Sequence, residues 1–109
     1  MDTFPELMQH VEGVELDQLR PLTTLLVWTW NTLYQVVVTA GSDVLVQGGP
    51  FFSEPTAAHI DGASTGRSLV KPGWIGLGLL MEFHVMGKRL VTSPVVAIAT
   101  ERPSTSMVQ

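Results

Sequence analysis

Apolar and polar residues alternate most regularly between residues 77 and 86. Leu77, Leu79, Met81, Phe83 and Val85 take every second position, with Gly78, Leu80, Glu82, His84 and Met86 between them. Successive side chains of a strand point to opposite faces, so this period predicts a half-buried strand over residues 74–86 with its odd residues inward. Residues 24–40 carry a second β signal. Val27, Trp28, Thr29, Trp30, Thr32, Tyr34 and Val36 to Thr39 are β-branched or aromatic, types that fit a pleated surface. The even positions Leu26, Trp28, Trp30, Tyr34, Val36 and Val38 make the more apolar face. The stretch exceeds an ordinary strand of about 3–10 residues, so a turn, bulge or bend is expected at Asn31-Thr32.

Gly41-Ser42-Asp43, Gly48-Gly49-Pro50 and Gly87-Lys88 punctuate the chain as turns. Residues 44–47, 56–63, 89–92 and 95–100 supply further strands. The last two read as one strand interrupted at Ser93-Pro94, where proline favours an edge or a bulge. Residues 63–72, rich in Gly, Ser and Thr, read as a loop. The N-terminus has a different texture. Thr3 and Glu6 stand at capping-box spacing, Pro5 falls in a first turn, and Phe4, Leu7, Met8 and Val11 follow a helical period up to Gly13. This predicts a short helix over residues 4–12, with one more helical turn within 14–19.

The expectation is therefore a single β domain over residues 1–100, including the N-terminal helix 4–12, with a disordered C-terminal tail at 101–109. Its fold class is mainly β: a small antiparallel β-barrel or compact sandwich of five to seven strands with one short N-terminal helix.

Composition narrows the functions available. The chain has 109 residues, 45% hydrophobic and only 15% charged, against about 25% charged in an average domain. So few charges point to apolar surface covered by another copy of the chain or by a protein partner. Without cysteine, disulfides, thiolate metal sites and cysteine nucleophiles are excluded. The net charge is −4, and the six basic residues never form a run. Neither a nucleic-acid footprint nor attraction to anionic lipid is expected. No secretory signal and no apolar run long enough for a membrane helix is visible. The expected location is the cytoplasm.

Thr29-Trp30-Asn31-Thr32-Leu33-Tyr34, Val46-Gln47-Gly48-Gly49, Gly73-Trp74-Ile75-Gly76-Leu77-Gly78 and Thr92-Ser93-Pro94-Val95 give the chain its one family likeness. Between residues 29 and 94 it resembles a small bacterial family of all-β proteins with no assigned activity. The resemblance implies a fold type and no chemistry.

Chemistry has few candidates. None of Ser53, Ser64, Ser68 and Ser93 lies in a nucleophile-elbow sequence. The small-residue loop 62–68 lacks the Walker pattern. A metal site is the sharper catalytic idea. His59 and Asp61 are two apart on one expected strand, Glu82 and His84 two apart on another, so each pair shares a face. In neighbouring strands the four could hold zinc, manganese or ferrous iron. The plainer reading is that these are solvated residues of a half-buried sheet. Trp28, Trp30 and Trp74 are candidates for an interface or for the core. Trp28 and Trp30 lean to the core because they share the face of Leu26 and Val36. The chain thus reads as a non-enzymatic module that binds a protein or itself, without a cofactor. The alternative is a small metal-dependent enzyme with a divalent metal at His59, Asp61, Glu82 and His84.

Overall fold

The structure, a computed structural model, describes residues 6–67 and 69–102. Within them run β1 (Glu6–Gln9), β2 (Gly13–Glu15), a 3-10 turn (Leu16–Gln18), β3 (Thr24–Thr29), β4 (Leu33–Ala40), β5 (Asp43–Gly48), β6 (Phe52–Ser64), β7 (Val70–Pro72), β8 (Trp74–Gly76), β9 (Leu80–Val85) and β10 (Lys88–Arg102). The protein is mainly β, and its strands pair antiparallel. The large sheet follows the order β1-β10-β3-β4-β5-β6-β7, and β9 joins β10 to β6; β2 and β8 form a second, small sheet. Pairing therefore runs through β3, β4, β5, β6, β9 and β10 and returns to β3.

The expected N-terminal helix is not formed; no α-helix occurs among the described residues. Residues 6–9 add instead as β1 to the edge of β10, with Leu7 opposite Glu101 and Met8 opposite Thr100. A nine-residue helix is marginal in water by itself, whereas the edge of β10 offers a row of unpaired backbone groups. Gly13, expected to end the helix, opens β2. Residues 4 and 5 lie outside the described residues. The helical turn expected within 14–19 is the 3-10 turn, whose Leu16 is buried. Glu101 and Arg102 belong to β10 rather than to a tail, and residues 103–109 lie outside the described residues.

A second correction concerns the face shared by β3 and β4. The four-residue turn closes with Trp28 opposite Leu33 and Leu25 opposite Val36, so odd positions of β3 face even positions of β4. Thr29 holds the turn: its N–H and Oγ1 both donate to Thr32 O, at 2.8 and 3.0 Å. The core side is thus Leu25 and Val27 on β3 but Val36 and Val38 on β4. Trp28 is half-buried on the opposite face, and Trp30 is 73% exposed. The core reading of both tryptophans fails because the turn reverses the phase of alternation.

The strand expected over 74–86 is two strands, β8 and β9. Between them the N–H of Leu77 donates to Glu12 O and that of Gly78 to Val95 O, both at 2.8 Å. These amides serve other segments, so no continuous ladder forms. Within β9 the odd residues Met81, Phe83 and Val85 are buried as expected.

Ser93-Pro94 falls at an irregularity. Register slips against β9 between Val91 and Pro94, then against β3 between Val95 and Ala97. β10 changes partner there, and proline, which has no N–H to donate, suits such a point. β5 slips at Gly48, where φ is +136° and a Cβ would lie 2.3 Å from the Leu33 carbonyl oxygen. β6 slips at Asp61, which has no cross-strand partner on β9.

The core gathers Leu25, Val27, Val36, Val38, Ile60 and Phe83 from the paired circuit, with Val14, Leu16 and Ile75 closing it beside the small sheet. Phe83 is its aromatic centre. Its ring lies 6.3 Å from Tyr34 in an edge contact and 5.9 Å from Phe52. No helix among the described residues is long and apolar enough to cross a membrane.

Candidate functional site: a polar row across four strands

Antiparallel registry lines up chemistry that lies far apart in sequence. Asp43 on β5 stands opposite His59 on β6, His59 opposite His84 on β9, and His84 opposite Arg89 on β10. Directly opposed residues share a face and approach within about 4.5–5.5 Å at Cβ. The row is exposed at Asp43, His59 and His84.

Each imidazole is held by a carboxylate. His59 Nδ1 lies 2.9 Å from Asp43 Oδ1. His84 Nδ1 is hydrogen-bonded to Asp61 Oδ2. Asp61 reaches across because the β6 bulge takes it out of the ladder.

Glu82, next on the outer face of β9, lives differently. It is 2% exposed. The Ser64 hydroxyl donates to its Oε2, and Arg89 donates to Oε1 from Nε at 3.1 Å and from Nη2 at 2.8 Å. Ser64 Oγ in turn accepts the Gly66 N–H at 3.2 Å. The Ser64 hydrogen bond holds the Glu82 carboxyl below its ordinary range, and Arg89 and His84 pull the same way, while burial opposes them.

The four candidate ligands are thus partly brought together and partly separated. His59 and His84 are cross-strand neighbours. Asp61 engages an imidazole, and Glu82 has both oxygens occupied by Ser64 and Arg89. Among the described residues no group of three or more His, Asp or Glu side chains is placed to hold a metal ion. Asp43, Ser64 and Arg89 were not legible as site residues. Each sits beside its partner only through strand pairing, which a spacing rule within one strand cannot supply. Of the serines, Ser64 is committed to Glu82, and Ser68 lies outside the described residues.

The tryptophans do not converge. Trp74 lies half-buried on β8, opposite Glu15 of β2, with Lys71 Nζ 3.9 Å from its ring centroid. Trp30 sits at the β3–β4 turn. Gly49 and Thr32 approach so closely that a Cβ on Gly49 would lie 3.1 Å from Thr32 Cγ2, so the β3–β4 and β5–β6 turns adjoin.

Two concavities lie on the surface formed by the described residues. A groove of about 540 Å³ between the β5–β6 turn and the β9–β10 hairpin is lined by Phe51, Phe52, Val85, Met86 and Leu90, with Thr56 and Lys88 as its polar members. Phe51 is 77% and Met86 92% exposed, and Phe51 stacks edge-on with Phe52 at 6.5 Å. A cleft of about 300 Å³ runs along residues 9–11 and 96–98. There His10 Nε2 is hydrogen-bonded to Thr100 Oγ1, and burial lowers the His10 pKa below its ordinary value. Compared with known proteins, the chain matches no family model, no curated protein and no solved structure.

Proposed function

We propose that this domain is a non-enzymatic β module whose apolar hairpin end associates with a second copy of the chain. The observation that carries this reading is the groove beneath Phe51 and Met86. Large apolar side chains project beside an apolar concavity on one end of the molecule. A patch that holds both a knob and a hole can meet its own copy about a two-fold axis, each Met86 entering the other groove. Met fills irregular apolar gaps readily. The low share of charged residues leaves the surface weakly opposed by like charge. The circuit of paired strands behind it is, in the same reading, a small closed barrel, which would give the patch a rigid base.

Analytical ultracentrifugation of the full chain tests this reading. A concentration-dependent dimer is expected, shifted to monomer by Met86→Glu and by Phe51→Glu. A monomer at every concentration, or a dimer indifferent to both substitutions, would overturn it.

A further inference from the structure

We infer that His59 and His84 form a two-imidazole site for a divalent transition metal, independent of the apolar groove. The two residues are direct partners across β6 and β9 and share the outer face. Both are about half exposed at the side chain, so an ion reaches them without any opening of the fold. In each ring Nδ1 is engaged by a carboxylate, Asp43 for His59 and Asp61 for His84. Neither Nε2 is bonded to another described residue.

That division of roles is the independent observation. An imidazole that donates Nδ1–H to a carboxylate is fixed in the tautomer whose Nε2 carries the free lone pair. Carboxylate–histidine pairs stand behind metal ligands for this reason. Here two such pairs lie side by side. Zn–N bonds of about 2.0–2.1 Å place two ligating nitrogens roughly 3.4 Å apart in a tetrahedral site. Directly opposed residues on antiparallel strands have Cβ atoms about 4.5–5.5 Å apart, which puts the two imidazoles within reach of one ion.

Imidazole ligands favour zinc, copper(II) and nickel(II) over calcium and magnesium, which take oxygen. Glu82 is no third ligand, since Ser64 and Arg89 occupy both its oxygens. Water completes the shell, so the metal keeps open positions.

The test is calorimetric titration of the tag-free full chain with Ni²⁺ and, separately, Zn²⁺. One equivalent should bind. His59→Ala and His84→Ala should each weaken binding at least ten-fold, and the pair together should abolish it. Asp43→Asn and Asp61→Asn should each weaken it by about 10–100-fold without changing stoichiometry. His10→Ala, which removes the third histidine of the chain, should leave it unchanged. Circular dichroism of every variant checks the fold, and imidazole ¹⁵N chemical shifts should show both Nε2 atoms as the ligating nitrogens. Binding that survives the double histidine variant, or absence of any binding to the wild-type chain, would overturn the assignment. So would equal loss in His10→Ala.

Discussion

Arg89 donates two hydrogen bonds to one oxygen of Glu82 from the other arm of the β9–β10 hairpin. Glu82 is almost wholly buried while more than half of the Arg89 side chain stays in water. The pair is therefore asymmetric: loss of Arg89 strands a buried carboxylate, whereas loss of Glu82 frees an arginine that water can solvate.

The first prediction follows from this asymmetry. Glu82→Ala leaves the buried Ser64 hydroxyl without its acceptor and should destabilise the fold by about 1–3 kcal/mol. A solvated position on the open face of a sheet would lose no more than about 0.5 kcal/mol. Urea denaturation separates the two, and a near-neutral variant would mean that Glu82 is solvated after all.

Phe83 touches both Tyr34 and Phe52 from the middle of the core. Phe83→Ala should cost about 3–5 kcal/mol, through lost burial and the cavity left behind. Trp30→Ala, on the exposed turn, should stay within about 0.5 kcal/mol. Measured by the same denaturation, the two must differ by well over a factor of two.

Acid should weaken the fold in two stages. Burial lowers the His10 pKa from its ordinary 6.5, so the unfolded chain takes up that proton first. Stability associated with neutral His10 is complete above pH 6.5 and is lost as pH falls through its lower folded value. The Glu82 carboxyl, held down chiefly by Ser64 from an ordinary 4.5, contributes stability that is complete above pH 4.5. It disappears below that as the folded group protonates. Denaturation midpoints across pH 7 to 3 should fall in this order. His10→Gln should remove the upper stage and Glu82→Gln the lower one.

Backbone geometry gives a further comparison. A Cβ at Gly62, where φ is +148°, would lie 2.0 Å from the Lys71 carbonyl oxygen. Gly87, with φ at +80°, has nothing within 4 Å of the same position. Gly87→Ala should therefore cost only the left-handed conformation, about 1–2 kcal/mol. Gly62→Ala should cost clearly more, because β7 must move off β6 to admit the methyl group. Equal melting temperatures for the two variants would contradict the close approach.

The alternation of Met81, Phe83 and Val85 made β9 legible, since one face of that strand meets the core directly. The irregularity at Ser93-Pro94 was legible from proline chemistry, though the change of partner there was not. The phase of Trp28 and Trp30 was not legible, because a turn of two or four residues reverses alternation while a bend in one continuous strand does not, and composition at Asn31-Thr32 does not distinguish them. Residues 6–9 lie among helical signals, a capping-box spacing and apolar positions at 4, 7, 8 and 11, yet form a strand. What decides is the open edge of β10, about ninety residues further on. The site was half legible. His59 with Asp61, and Glu82 with His84, are within-strand pairs visible as spacing. Their joining depends on registry between β6 and β9, and the burial of Glu82 on Arg89 and Ser64, neither of which spacing records.

β10 closes the pairing circuit with one half on β9 and the other on β3 and β1. A chain emerging residue by residue from a ribosome must therefore wait. β3 and β9 are made first, and their free edges stay open until residues 88–102 follow. His10 finds Thr100 only then, across a sequence separation of 90. Contacts this remote make folding slow, since ring closure precedes the contacts that reward it. Before β10 arrives, each nascent chain exposes two strand edges able to pair with a neighbour on the same messenger. Translation stalled upstream of Lys88 would leave a β-rich chain without its closing strand, which makes the late strand a checkpoint between a finished domain and an aggregate.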